Sequence, residues 1–209
     1  MQGKPEIMPL LLLKGRTAMR REYSKKDLSS LSKSLRGRNF EKLYILDIDG
    51  IERNRPQLEI VQSLCNDFSI SYEAGPRKGA NVIDMVVAGA DMVYMGTYCL
   101  ASLDEIGTAM ALTEGIGLKI DWNDGLLGRG KGIENVPIAD IMRGAMDRGV
   151  KDIVASVEII DKVIDAAGGG AVVRAIADRP GDEKRTDLNC ASLIVNCDLL
   201  LKEEAPDAS

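Results

Sequence analysis

The sequence contains no histidine among its 209 residues. This absence excludes the Ser-His-Asp triad, the Cys-His pair and His-ligated zinc. Any proton transfer must therefore be carried out by Asp, Glu, Lys, Cys or Tyr. The four cysteines, Cys65, Cys99, Cys190 and Cys197, form no Cys-x-x-Cys pair, which disfavours a structural zinc site. We expect them to be reduced thiols in a cytoplasmic protein.

Basic residues are also scarce, since 27 Lys and Arg stand against 32 Asp and Glu. The net charge of -5 argues against a nucleic-acid partner, because phosphate backbones are bound by basic faces. The leucine run Leu10–Leu13 is too short to span a membrane. We expect a single domain over residues 1–209, with a frayed polar tail at Lys202–Ser209.

Short apolar segments recur at a regular spacing and predict eight β-strands. They are Pro9–Leu13, Leu43–Ile48, Ser69–Ala74, Met92–Met95, Ile116–Ile120, Asp152–Ala155, Ala171–Ile176 and Ser192–Val195. Amphipathic stretches between them predict helices at Pro56–Asn66, Asn81–Ala90, Ser102–Glu114, Ile138–Arg148, Val157–Ala167 and, more briefly, Arg185–Cys190.

The alternation of strands and helices predicts a parallel α/β fold. No Gly-x-Gly-x-x-Gly sequence follows the first strand, which disfavours an open dinucleotide-binding sheet. Eight uninterrupted units favour a (β/α)8 TIM barrel. At 209 residues this barrel is of minimal size and has no room for a full last helix.

Charged residues cluster where the predicted strands end, the edge at which TIM barrels place their active sites. The second strand ends with Asp47 and Asp49, which the alternation of side chains places on one side. Such a pair can supply a general acid or base, or one Asp can cap the next loop. The fifth strand ends with Lys119 and Asp121, which share a face and are expected to form an ion pair, either catalytic or structural.

Two neighbouring strand ends also carry the elements of an anion site. Gly75 and Arg77 follow the third strand, and Gly96 and Thr97 end the fourth. Glycine lets backbone N–H groups approach a phosphate, and the N-terminus of a following helix adds its dipole.

A glycine-rich segment, Gly125–Gly132, follows the fifth strand and has the composition of a flexible loop. Its two cations, Arg129 and Lys131, could close over an anion, or the loop could simply be solvated. The composition does not separate these alternatives.

Three segments together resemble the histidine-biosynthesis β/α barrels, which are the HisA-type ribotide isomerase and the HisF-type cyclase. They are Leu43–Ile51 (LYILDIDGI), Ala74–Arg77 (AGPR) and Val93–Leu100 (VYMGTYCL). The resemblance extends over roughly Leu43–Gly125 and implies a TIM barrel of two half-barrels, each with a phosphate site.

This resemblance also implies roles for individual residues. Asp121 matches the family's catalytic Asp, with Asp47 or Asp49 assisting and Lys119 as the electrostatic partner. One phosphate is then held by Gly75, Arg77, Gly96 and Thr97.

The sequence departs from the family pattern in the first strand and in the second half. The acid/base Asp of the first strand falls on Leu12, which cannot transfer a proton. Ser156–Glu158, Ala177–Arg179 and Asn196–Cys197 stand where the family has glycine-containing loops. We therefore expect the second phosphate site and the authentic histidine-pathway reaction to be lost.

Three functional hypotheses remain. The first is a cofactor-free isomerase or lyase that acts on a small phosphorylated metabolite. The second is a barrel that binds a metabolite, a protein partner or a second copy of itself without catalysis. The third is a Mg²⁺-dependent lyase, in which a hard cation is bound by Asp47, Asp49, Glu73 and Asp121.

Overall fold

The computed structural model describes residues 4–14, 17–18 and 25–202, and within them eight strands close into a barrel. The strands are β1 Glu6–Lys14, β2 Lys42–Asp47, β3 Ser69–Glu73, β4 Met92–Gly96, β5 Ile116–Ile120, β6 Asp152–Ser156, β7 Val172–Ile176 and β8 Ser192–Asn196. Each strand pairs in parallel with the next. Strand β8 also pairs with β1, which closes the sheet. The predicted (β/α)8 TIM barrel is therefore confirmed.

Helices connect the strands on the outside of the barrel. They are α1 Lys25–Gly37, α2 Ile48–Arg53, α3 Leu58–Leu64, α4 Val82–Val87, α5 Asp104–Met110, α6 Ile138–Asp147, α7 Ile160–Ala167 and α8 Cys197–Lys202. The last helix, α8, is described over six residues, up to the end of the described part of the chain. No helix in these described ranges is long and apolar enough to cross a membrane.

The end of the chain departs from one expectation. The predicted short helix over Arg185–Cys190 is wrong, because a 3₁₀ turn over Asp182–Lys184 is followed by irregular chain. Leu188 and Cys190 are apolar there because they are buried on the way into β8. Of the expected frayed tail, Lys202 ends α8 and the remainder lies outside the described residues.

The hydrophobic core has an outer and an inner part, because successive side chains of a strand point to opposite faces. The outer part lies between the strands and the helices. The inner part fills the barrel with Met8, Leu10, Tyr44, Tyr94, Val154, Ile176 and Ile194. Two residues beyond Leu10 and Tyr44, the inward-facing positions of β1 and β2 lie towards the C-terminal mouth of the barrel.

An ion pair closes the opposite, N-terminal end of the interior. Arg174 donates to both carboxylate oxygens of Asp152 at 2.7–3.0 Å and to the Ser192 hydroxyl at 2.8 Å. The Tyr94 hydroxyl also donates to Asp152, at 2.7 Å. The charges are paired and hydrogen-bonded, as burial requires. Because the charges at this end are paired with one another, we looked for the functional site at the C-terminal mouth.

Candidate functional site

Glu73, Lys119 and Asp121 form an ion-paired group at the C-terminal mouth, here called the Lys119 cluster. The Lys119 ammonium lies 2.9 Å from Asp121 Oδ1 and 3.2 Å from Glu73 Oε1. The Glu73 side chain is 2% exposed, whereas those of Lys119 and Asp121 retain 12% and 16% exposure. The expected Lys119–Asp121 pair is thus joined by a second, deeper carboxylate.

Tyr44 fixes the buried carboxylate of this cluster from the barrel interior. Its hydroxyl donates to Glu73 Oε2 at 2.6 Å, and both residues are buried. Burial raises the pKa of Tyr44 well above its usual value, so the phenol remains a donor. Each oxygen of Glu73 therefore has one donor, Tyr44 or Lys119.

The cluster contains two carboxylates for one ammonium. Burial raises the pKa of Glu73, and this effect together with nearby Asp121 outweighs the opposing charge of Lys119. Burial lowers the pKa of Lys119, but the carboxylates of Asp121 and Glu73 outweigh it and raise that pKa above its usual value. Lys119 is consequently a fixed positive charge held between the two carboxylates.

Asp121 is oriented by the backbone of the neighbouring strand. Its Oδ2 accepts a hydrogen bond from the Tyr98 N–H at 2.9 Å. A Cβ atom at Gly96 would lie 2.6 Å from the same oxygen. Glycine at this position therefore makes room for the Asp121 carboxylate beside the end of β4.

The remaining predicted phosphate ligands lie in the same loops but are engaged within the chain. The Thr97 hydroxyl donates to the Leu127 carbonyl at 2.8 Å and accepts from the Asp121 N–H at 3.0 Å. Gly75 has a φ of 64°, in the left-handed region that favours glycine. Arg77 donates to backbone carbonyls at the end of α2, including that of Gly50 at 3.0 Å.

A cavity of about 730 Å³ opens beside these loops. Arg77 and Arg129 both line it, together with Tyr98 and Glu134. Within the described ranges, neither arginine forms an ion pair with a carboxylate. One lining residue, Tyr98, also donates its N–H to Asp121 of the Lys119 cluster, whose three side chains do not themselves line the cavity.

The segment Gly125–Gly132 is packed against the loop after β4, unlike the flexible loop that its composition predicts. Lys131 donates its N–H to the Ala101 carbonyl at 3.0 Å, and the Leu103 N–H donates to the Lys131 carbonyl at 2.9 Å. A Cβ atom at Gly128 would lie 2.7 Å from the Thr97 carbonyl oxygen. The glycines thus permit close contact between the two loops.

Asp47 lies on the outer face of the sheet, away from the Lys119 cluster. Its Oδ1 accepts from the Gly50 N–H at 3.1 Å and caps the N-terminus of α2. Its Oδ2 accepts from the Tyr72 hydroxyl and the Gln57 N–H, each at 2.6 Å. Asp47 therefore has the structural role that the sequence left open for one of the two aspartates, because it caps the segment that follows its strand.

Asp49 does not share a strand face with Asp47, because the strand ends at Asp47 and α2 begins at Ile48. Its carboxylate lies 3.5 Å from Arg53 within the same helix. No hydrogen bond or ion pair among the described residues joins either Asp to the Lys119 cluster. Both carboxylates accept from the Gln57 side-chain amide at 3.4 Å, so the two aspartates lie near each other but apart from the Lys119 cluster.

The four carboxylates of the magnesium hypothesis are likewise separated. Asp47 and Asp49 belong to the start of α2, and the Lys119 ammonium lies between Glu73 and Asp121. Over the described part of the chain, no group of three or more Cys, Asp or Glu residues is arranged to hold a metal ion. The geometry does not support that hypothesis.

Several helix N-termini at the mouth are capped by the chain's own side chains. Besides Asp47, Ser102, Ser156 and Asn196 accept hydrogen bonds at 2.7–3.2 Å from the N–H groups two residues further on. A helix N-terminus binds phosphate through such N–H groups. These caps support the expectation that the second phosphate site is lost, which stays a prediction.

The fold and the charged mouth define this chain as a β/α-barrel protein with an enclosed polar site. A sequence model of the family described as histidine biosynthesis protein matches residues 10–176. The chain therefore belongs to the histidine biosynthesis protein family, which confirms the resemblance noted in the sequence.

A comparison with solved structures agrees with this fold. The crystal structure of KGPDC from Streptococcus mutans matches with a TM-score of 0.64 and 13% identity, over 96% of this chain and 91% of that chain. Such low identity shows the shared barrel alone. No curated protein sequence matches the chain.

Proposed function

We propose that the protein is an isomerase or lyase that acts on a small phosphorylated metabolite at the C-terminal mouth of its barrel. The observation that carries the proposal is the Lys119 ammonium, held between Glu73 and Asp121. A fixed cation in an enclosed site stabilises negative charge that develops on a substrate oxygen when a neighbouring carbon loses a proton or a carbon substituent.

Asp121 is the proposed general acid and base of this reaction. Its side chain is more exposed than that of Glu73, at 16% against 2%, and it accepts a hydrogen bond from the N–H of Tyr98, which lines the cavity. Lys119 supplies the positive charge, and the buried Glu73 carboxylate holds the Lys119 ammonium in place. Leu12 occupies the first-strand acid/base position, so we propose a reaction other than the family's histidine-pathway step.

The phosphate is proposed to bind in the cavity that Arg77 and Arg129 line. Arg129 has no carboxylate partner within the described ranges, and arginine binds phosphate through paired, charge-assisted hydrogen bonds. The Arg77 guanidinium donates to the Gly50, Ile51 and Gly75 carbonyls, so it contributes its positive charge to the cavity. Gly75, Gly96 and Thr97 then shape the surrounding loops instead of holding the phosphate directly.

Phosphate compounds should stabilise the protein, and the stabilisation should depend on Arg129. A ligand at 100 times its Kd adds about 2.7 kcal/mol to the free energy of unfolding. We expect inorganic phosphate or ribose 5-phosphate to raise the Tm by several degrees, and Arg129→Gln to remove most of the shift. Arg143→Gln, on the exposed face of α6, is the matched control. An undiminished shift in Arg129→Gln would contradict the proposed anchor.

Exchange of carbon-bound hydrogen with solvent reports catalysis even when the product is unidentified. In D₂O, we expect the wild type to exchange a C–H proton of a bound ligand, as followed by NMR. Asp121→Asn should slow this exchange by about 10²–10⁴-fold, the usual contribution of a general base. Asp124→Asn, at an exposed position in the same loop, should leave the rate unchanged.

The same experiment separates catalysis from binding alone. A wild-type protein that is stabilised by a ligand but never exchanges its protons would favour the non-catalytic binding alternative. Exchange that survives in Asp121→Asn would remove Asp121 from its proposed role.

A further inference from the structure

The segment after β5 turns back on itself as a short hairpin that runs from Asp121 to Leu127. Trp122 and Leu126 face each other as an antiparallel bridge, and Asp124 lies at the tip with a φ of 52°. Leu127 donates its N–H to the Asp121 carbonyl at 2.8 Å. One leg of the hairpin therefore begins with the proposed acid/base residue, and the other ends at Leu127, which lines the cavity of about 730 Å³.

The hydroxyl of Thr97 lies between the two legs of this hairpin. In a regular hydrogen-bonded antiparallel pair, Asp121 and Leu127 would exchange two direct N–H···O=C bonds. Leu127 donates directly to Asp121, whereas the return bond runs through Thr97. The Asp121 N–H donates to Thr97 Oγ1 at 3.0 Å, and Thr97 Oγ1 donates to the Leu127 carbonyl at 2.8 Å. The hydroxyl thus joins the two legs as both acceptor and donor.

Thr97 is fully buried at the end of β4, so bulk water does not reach its hydroxyl. Its relative exposure is 0%, and its own N–H donates to the Lys119 carbonyl at 3.0 Å. The residues on either side of it contact the Asp121 carboxylate. Gly96 leaves room for Oδ2, and Tyr98 donates its N–H to the same oxygen. Three consecutive residues therefore fix Asp121 through both its backbone and its carboxylate.

We propose that Thr97 is a positioning residue, whose hydroxyl holds Asp121 in place relative to the loop that lines the cavity. The inference rests on the proposed function, because that function assigns the acid/base role to Asp121 and the phosphate to this cavity. A substrate anchored by its phosphate meets Asp121 at a productive distance only if both legs of the hairpin keep their places. A misplacement of about 1 Å can lower a rate by about 10²-fold. Thr97 therefore acts on the rate of the reaction and not on the affinity for phosphate.

The test compares Thr97→Val, which keeps the shape without the hydroxyl, with Thr97→Ser, which keeps the hydroxyl. In D₂O, exchange of the C2 proton of ribose 5-phosphate at saturation reports the rate, and calorimetric titration with inorganic phosphate reports the affinity. We expect Thr97→Val to lower the rate by about 10–10²-fold and to leave the Kd within about twofold. Thr97→Ser should recover most of the rate. Thr108→Val, at an exposed position of α5, is the matched control.

Amide hydrogen exchange gives a second readout that does not depend on catalysis. Because the Asp121 N–H loses its acceptor in Thr97→Val, we expect its exchange with solvent to become at least about tenfold faster, as measured by NMR. Thr97→Ser should keep the wild-type protection of this amide. If Thr97→Val does not fold, Thr97→Ala removes the same hydroxyl with a smaller side chain and takes its place in both measurements.

The outcomes separate this inference from the proposed function. An unchanged rate at saturation in Thr97→Val, or an unchanged Asp121 amide, would overturn the inference and leave the proposed reaction in place. A weaker phosphate affinity at an unchanged rate would make Thr97 a phosphate ligand and would also overturn it. If the wild type exchanges no carbon-bound proton, the proposed reaction on this ligand is contradicted, and the Asp121 amide alone then decides whether Thr97 holds that residue in place.

Discussion

Replacing Lys119 with methionine will lower the free energy of unfolding at neutral pH by about 3–5 kcal/mol, the usual cost of removing one partner of a buried ion pair. The substitution keeps an unbranched side chain but leaves Glu73 and Asp121 facing each other without a cation. The Tm should fall by roughly 6–20 °C, given about 2–4 °C per kcal/mol for a chain of this size.

This loss will depend on pH through Glu73. The pKa of Glu73 is raised by burial, and removal of the opposing Lys119 charge raises it further. A group with a raised folded-state pKa contributes stability below its unfolded pKa, and this contribution is lost as the pH rises through the folded pKa. The deficit of Lys119→Met should therefore shrink as the pH falls from about 7 to 5. Adding Glu73→Gln should restore most of the stability at neutral pH.

Urea unfolding at several pH values measures both effects. Lys42→Met is the matched control, because Lys42 pairs with Glu6 at the surface, where the side chains are 47% and 52% exposed. That exposed pair should contribute less than about 1 kcal/mol. Equal losses for Lys119→Met and Lys42→Met would show that Lys119 does not compensate a buried charge.

The strands were predictable because a parallel barrel buries both faces of its sheet, which leaves short, nearly continuous apolar runs. The run Ile116–Ile120 has the same bounds as β5. Helix α1 was missed because Lys25–Gly37 is rich in serine and lysine. Its signal is confined to Leu28, Leu31 and Leu35, whose helical spacing places them on one buried face.

The site was predictable only where a strand stays regular to its end. Alternation held through β5 and placed Lys119 beside Asp121, but it failed at Asp49 because α2 begins directly after β2. The same rule applied to β3 indicates Glu73, which the sequence suggested only as a metal ligand. Tyr44 carries no such signal, because its bond to Glu73 crosses between two strands inside the barrel.

Glycine-rich segments were the least predictable part of the site. Composition alone suggested flexibility for Gly125–Gly132, since glycine adopts many backbone conformations. In the structure, glycine lies where two loops approach closely, as Gly128 lies beside the Thr97 carbonyl. A sequence without its tertiary neighbours does not distinguish these two uses.

The largest effect outside the mouth is expected at the opposite end of the barrel. Arg174→Met will also lower the free energy of unfolding by about 3–5 kcal/mol, because Asp152 loses the cation that pairs with it. The Asp152 side chain is 9% exposed, so water does not replace that partner. Adding Asp152→Asn should recover much of the loss, since the amide buries no charge.

A control variant and the ligand response show whether the Arg174–Asp152 ion pair, here called the lower ion pair, affects function. Arg143→Met should cost less than about 1 kcal/mol, because Arg143 and its partner Asp140 are 69% and 49% exposed. If the two ends of the barrel act independently, Arg174→Met will lower the Tm and still show the wild-type shift with phosphate compounds. The rings of Tyr44 and Tyr94 lie 5.3 Å apart between the two charged groups. A weakened ligand response in Arg174→Met would therefore mean that this tyrosine contact couples the lower ion pair to the Lys119 cluster.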